Sequence, residues 1–175
     1  MVFVPAWAQT PVRILVSAEH GQYRMSLRLV LKAPIARVYA ILRDYGAIKR
    51  LNPSVQKSEV IKRKGYTLLR LSLKSCVLFV CFPVTQTESM STNRPYLLRG
   101  TIVPRLSSFR SGFSQWRLKP EGQDTKVHFV AQLIPSFYIP PILGTWILKR
   151  KLRDEMKITA RHLIAWADAK APYKP

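Results

Sequence analysis

From Gly144 to Lys170 the chain contains no proline and no glycine beyond its first residue. Within it Leu148, Leu152, Met156, Ala160, Leu163 and Ala167 recur at helical spacing and form one apolar stripe. About twenty-five helical residues span about 37 Å, the width of a small domain. A rod of that length with one apolar face has to lie across something equally long, and only an extended sheet in the preceding residues can supply it. Pro140-Pro141 is suited to start the helix, because the first turn leaves its backbone N–H groups unpaired in any case.

The residues before the helix alternate instead. Tyr23 to Leu31 reads as a strand with period two. Ala33-Pro34 then opens a helix through Ile35, Val38, Tyr39, Ile41 and Leu42, closed by Asp44-Tyr45-Gly46, and Asn52-Pro53 ends a second short one. Val55 to Arg63 and Tyr66 to Lys74 flank a hairpin turn at Lys64-Gly65. Further strands are expected at Val77 to Ser91, broken at Pro83, then Tyr96 to Val103, Phe109 to Leu118 and Lys126 to Leu133, with short polar turns at Asn93-Arg94-Pro95 and Lys119-Pro120-Glu121-Gly122. The expected class is α+β: a curved antiparallel sheet of six or seven strands wrapped around a long terminal helix, with two short helices after the first strand. The 175 residues suit one domain. Its bounds are read as 23–170, after a loose leader at 1–22 and before a tail at 171–175. With 47% hydrophobic and 22% charged residues the chain is no disordered polymer. No apolar run approaches the roughly 20 residues of a membrane span.

Motifs remove several kinds of chemistry. Neither common glycine-rich phosphate loop is present. Cys76 and Cys81 sit in an apolar run with no turn residue between them, so the run reads as extended and the pair, about 16 Å apart, as free thiols. With no C-x-x-C and no neighbouring histidine, no zinc site is expected, and neither is a cofactor. His20 falls in the leader, His128 on the outward parity of its strand and His162 on the polar side of the helix. Asp154 and Glu155 diverge by about 100° on the helix, poor geometry for shared proton transfer. Glu88, in Gln86-Thr87-Glu88, is expected to pair with a surface Lys or Arg. No catalytic residue is assigned, and the balance weighs against an enzyme. The opening apolar residues ending Ala6-Trp7-Ala8 look like the tail of a secretory signal without its charged start. Either the start lies further upstream or the match is chance; the expectation is an exported, periplasm-like protein, the alternative a cytoplasmic one at the membrane periphery.

This order of elements resembles the helix-grip fold of the START/SRPBCC superfamily, the polyketide-cyclase or birch-pollen-allergen type. The resemblance spans about Tyr23 to Ala169. It rests on Ala33-Pro34-Ile35-Ala36-Arg37-Val38-Tyr39-Ala40-Ile41-Leu42-Arg43-Asp44-Tyr45 followed by Pro53-Ser54-Val55, on Phe113-Ser114-Gln115-Trp116-Arg117-Leu118-Lys119-Pro120, and on Phe137-Tyr138-Ile139-Pro140-Pro141-Ile142-Leu143-Gly144, which is similar to the approach to the closing helix in coenzyme-Q-binding-like and cyclase-like bacterial members. The resemblance implies a sheet around an apolar cavity. Members bind lipids, sterols, quinones or polyketides, and only some catalyse.

Strand alternation nominates the cavity lining: Leu69, Leu71 and Leu73; Leu98 and Ile102, with Gly100 between them; Trp116 and Leu118; Phe129, Ala131 and Leu133, with Val127 before them. The helix adds Trp146 near the mouth, then Leu152 and Met156. Individually each is more often ordinary core. Charge supplies the second theme, with 29 Lys+Arg against 9 Asp+Glu, a net +20. Lys149, Arg153, Lys157 and Arg161 form a cationic ridge, and Lys62-Arg63-Lys64 crowns the hairpin tip. Such rows are usually a solvated helix face, yet here the interspersing acids are missing. The expected partners are a hydrophobic small molecule (lipid, quinone or polyprenoid-like) and an anionic membrane surface. Alternatives are a cyclase or aromatase in the same cavity, and a basic factor binding RNA or ribosomes.

Overall fold

A computed structural model describes residues 11–77, 80–139 and 144–168. There are eight strands among the described residues: β1 (Arg13–Glu19), β2 (Gln22–Leu31), β3 (Val55–Arg63), β4 (Tyr66–Val77), β5 (Val80–Arg94), β6 (Leu97–Ile102), β7 (Phe109–Glu121) and β8 (Asp124–Pro135). Between β2 and β3 lie α1 (Ile35–Arg43), a 3-10 turn (Tyr45–Ala47) and α2 (Ile48–Leu51); α3 (Gly144–Asp168) follows β8. The sheet is antiparallel in the order β1-β2-β8-β7-β6-β5-β4-β3. It is a curved wall gripping one long helix, the helix-grip fold.

The local causes are legible. Pro34 caps α1, and its carbonyl accepts from the backbone N–H of Arg37 at 3.0 Å and of Val38 at 3.3 Å. Gly65 turns β3 into β4 at φ +89°, a conformation that side chains with a Cβ resist. On β2 every second side chain is buried, from Tyr23 to Leu31, and β8 matches it from Thr125 to Leu133.

Four expectations need correction. The residues read as a loose leader include β1, an edge strand paired with β2 from Arg13 opposite Arg28 to Glu19 opposite Gln22. That raises the strand count to eight. Its alternation is faint because Leu15, on its outer face, is 72% exposed. The Cys76–Cys81 run is not extended: β4 and β5 meet there, with Val77 opposite Val80, so the chain reverses between them. The reversal sets Cys76 directly across from Cys81, and the two form a disulfide with Cα atoms 4.0 Å apart. Pro83 does not break β5. The β6 ladder begins only at Glu88, so at Pro83 the strand pairs with β4 alone, and the missing N–H deprives no neighbour. Strand β5 also runs on through Arg94, and the turn is carried by Pro95 and Tyr96, the latter at φ +57°. The expected helix start at Pro140-Pro141 lies outside the described residues.

Helix α3 packs mainly on β1 and β2, on α1 and α2, and less on β4. Its two halves differ. In the second half Thr159, Ala160, Leu163 and Ala167 are buried. Three bonds tie that half to α1 and the end of α2: Arg37 Nη2 donates to Trp166 O at 2.9 Å, His162 Nδ1 to Leu51 O at 2.9 Å and Asn52 Nδ2 to Thr159 Oγ1 at 3.3 Å; just before the midpoint Ser54 Oγ donates to Glu155 Oε1 at 2.7 Å. His162 is thus a structural donor rather than a solvated side chain. In the first half no residue is buried; Leu148, Leu152 and Met156 are half-exposed.

Candidate functional site

The half-open end of α3 faces the concave side of the sheet, and cross-strand register shows which side chains share that side. Leu69 stands opposite Glu88, which stands opposite Ile102. One step along, Leu71 pairs with Gln86, and Leu73 with Val84. In the other direction Met90, Gly100, Ser114 and Ala131 make a row across four strands, followed by Leu98, Trp116 and Phe129 across three.

The nominated lining therefore divides. Leu69, Leu71, Leu98, Ile102, Leu118, Phe129, Ala131 and Leu133 are buried in the core. Leu73, Trp116, Leu152 and Met156 are only half-buried around that core, as are Gln86 and Ser114. Trp116 leans on Phe129 with ring centroids 4.4 Å apart. Trp146 stands at the open end of α3, 65% exposed. Of the cationic residues Lys62, Arg63, Lys64, Arg153, Lys157 and Arg161 are exposed and Lys149 half-buried. Lys157 Nζ pairs with Asp154 at 3.1 Å.

A cleft of about 460 Å³ opens between the 3-10 turn and the ends of β3, β4 and β5, within the range of small-molecule sites. Arg43, Asp44 and Lys62 stand among its walls with Tyr45, Val60, Thr67 and Met90. Met90, in its wall, is two residues from Glu88 on the same strand face.

Glu88 overturns the expectation of a surface ion pair. It is 2% exposed, and among the described residues no cation pairs with it. Its carboxyl is held by neutral groups: Gln86 Nε2 donates to Oε1 at 3.0 Å and Ser114 Oγ to Oε2 at 2.8 Å. Burial pushes its pKa up, and the two hydrogen bonds oppose this only in part. Tyr45, whose hydroxyl oxygen is buried without a hydrogen-bond partner, is also pushed up, chiefly by burial. Glu155 shows the opposite outcome. Burial raises it, but Lys151 Nζ at 2.5 Å, with Ser54 and Asn52, outweighs that and holds it below the ordinary value.

Alternation alone could not reveal Glu88's burial, since Gln86 and Glu88 make that face of β5 look wet. The available signal was Gly100, an inward glycine on the neighbouring strand. A Cβ there would stand 2.2 Å from Glu88 Oε2, so the absent side chain makes room for the carboxyl.

The raised pKa fixes a pH dependence. An acid whose folded-state pKa is raised stabilises the fold fully below its ordinary value of 4.5, and that contribution is lost as pH climbs to the raised value. Glu88→Gln cannot ionise, so its stability relative to wild type should increase from about pH 4.5 upward. The gain should be about 1.4 kcal/mol per pH unit until the raised value is reached. Denaturant unfolding of both proteins across the acid range checks this; parallel curves would mean that the buried carboxyl keeps its ordinary pKa.

Residues 22–165 match the family described as "Polyketide cyclase / dehydrase and lipid transport". No curated protein sequence matches the chain. Among solved structures, TTHA0849 from Thermus thermophilus superposes with a TM-score of 0.68 at 18% identity, covering 82% of this chain and 96% of that one. The Zhui aromatase/cyclase from Streptomyces sp. R1128 gives 0.65 at 13%, covering 84% and 94%. A STAR-related lipid transfer protein from Xanthomonas axonopodis gives 0.65 at 16%, covering 90% and 99%. At these identities the superpositions establish the fold alone, while the family match runs from β2 into the second half of α3. The chain belongs to the polyketide cyclase / dehydrase and lipid transport family.

Proposed function

We propose that this protein binds a hydrophobic small molecule on the concave side of its sheet and exchanges it at anionic membrane surfaces. One observation carries the reading: Leu73 and Trp116 on the inner face of the sheet, and Leu152 and Met156 on the first half of α3, are only half-buried, apolar surface that an ordinary core would close. The lipid-transfer protein and the aromatase/cyclase that share the fold make an apolar ligand a natural occupant. Native mass spectrometry of the purified protein should detect a co-purifying apolar molecule, and a chain that is always empty and excludes apolar dyes would refute the reading.

The membrane step rests on charge. Lys62, Arg63 and Lys64 project from the β3–β4 tip beside Tyr66, which is 50% exposed. Each near-surface cation contributes about 1 kcal/mol at an anionic leaflet. Reversing the three to glutamate should therefore weaken binding to phosphatidylglycerol vesicles at least about a hundredfold and leave the fold intact. Sedimentation with vesicles measures it. Retention on RNA by a protein that ignores the vesicles would favour a nucleic-acid partner instead. The Cys76–Cys81 disulfide supports an oxidising, exported setting over the cytoplasmic alternative.

A second reading has its own observation. Cyclase or aromatase chemistry needs a polar group inside the cavity placed to move a proton, and Glu88 with Ser114 and Gln86 is such a group.

A further inference from the structure

We propose that Glu88, Ser114 and Tyr45 form an oxygen-recognition site at the inner end of the cleft, which accepts the carbonyl oxygen of a neutral, otherwise apolar ligand. The inference rests on the binding function proposed above and names the ligand class for it.

The geometry places donors around the Glu88 carboxyl, and among the described residues no cation pairs with it; the cleft's Arg43 and Lys62 are exposed on its walls. Tyr45 lines the cleft and packs on the cluster of Val55, Leu69 and Leu71, and Leu69 stands opposite Glu88. Its hydroxyl is buried and has no partner, a cost that a ligand acceptor would remove. Glu88 and Ser114 are 2.8 Å apart in surroundings without a pairing cation, and there a carboxyl is cheapest in its neutral form. A neutral carboxyl reverses that bond: its O–H donates to Ser114 Oγ. The serine proton is then free to point into the interior, where a ligand oxygen can accept it. Gln86 Nε2 still donates to the other carboxyl oxygen and keeps the group oriented. Gly100 adds no side chain over the pair.

Such a site sorts ligands by their polar end. A hydrocarbon leaves the tyrosine hydroxyl unpaired. A carboxylate would lose its hydration beside Glu88, while the cleft's cations, Arg43 and Lys62, are exposed on its walls rather than paired at that end. A ketone or quinone oxygen accepts without bringing charge. One hydrogen bond made to a group otherwise left unpaired corresponds to roughly tenfold in affinity.

The test uses the full chain and a neutral fluorescent dye, N-phenylnaphthylamine, displaced by three matched bicyclic molecules: tetralin, α-tetralone and tetralin carboxylate. Wild type should bind α-tetralone about tenfold more tightly than either of the others. Tyr45→Phe and Ser114→Ala should each lose most of that preference while still binding the dye. Glu88→Gln should keep it, because an amide N–H can donate to Ser114 Oγ as the carboxyl O–H does. Equal affinity for ketone and hydrocarbon in a dye-binding wild type would overturn the oxygen site and leave the apolar site standing. The oxygen site also falls if both variants keep the preference, or if Glu88→Gln abolishes it. A wild type that does not take up the dye would overturn the binding function and this inference together.

Discussion

Leu163→Ala should destabilise the protein by about 3–4 kcal/mol, as expected for a large side chain removed from a fully closed site. Leu163 is 0% exposed. It lies in the half of α3 that Arg37, Asn52 and the His162–Leu51 bond hold against the short helices, so the gap cannot collapse without moving the helix. The melting temperature should fall by about 10 °C. Leu152→Ala, on the same stripe three turns earlier, should cost only about 1 kcal/mol, because that leucine is half-exposed already. It should instead change dye affinity. The pair tests the division of α3 into an anchored half and a half that roofs the binding surface. Equal losses of stability would mean that the whole helix is ordinary core.

Gly100→Ala should cost about 2–3 kcal/mol, through steric conflict and loss of a buried hydrogen bond. The new Cβ would stand 2.2 Å from Glu88 Oε2 and 2.7 Å from its Cδ, so the carboxyl has to move. Movement breaks the bond from Ser114 at 2.8 Å or that from Gln86 at 3.0 Å and leaves a buried acid without it. The same substitution in a Glu88→Ala background should be nearly free, since the obstructing group is gone. Denaturant titration of the four proteins gives the coupling between the sites. Additive costs would show that glycine is required there for another reason.

The residues differ sharply in how far their fate could be read in advance. Leu98 and Ile102, Phe129 and Leu133, and Ala160 and Leu163 were readable because period two and period 3.6 are properties of neighbouring residues along one chain segment. The resemblance to the START/SRPBCC pattern was readable for the same reason, being a sequence of such segments. Whether a nominated residue became sealed core, as Leu69 did beneath Tyr45 and Ile48, or half-open surface, as Trp116 did, depends on which distant segment packs over it. The edge strand β1 was hidden because a strand with one partner needs little alternation, and Leu15 shows none.

What the amino-acid order determined by itself was the type and apolar face of most elements, β1 and the inner face of β5 excepted, because backbone sterics and side-chain spacing act over a few residues. It also determined the cationic excess, a sum that needs no geometry. Tertiary structure alone decided that Cys76 meets Cys81 across a chain reversal, that Glu88 lies under Gly100 beside Ser114, and that α3 buries the apolar stripe of its second half and leaves that of its first half partly open. These outcomes join residues from separate strands, and electrostatics and packing respond to distance in space rather than along the chain.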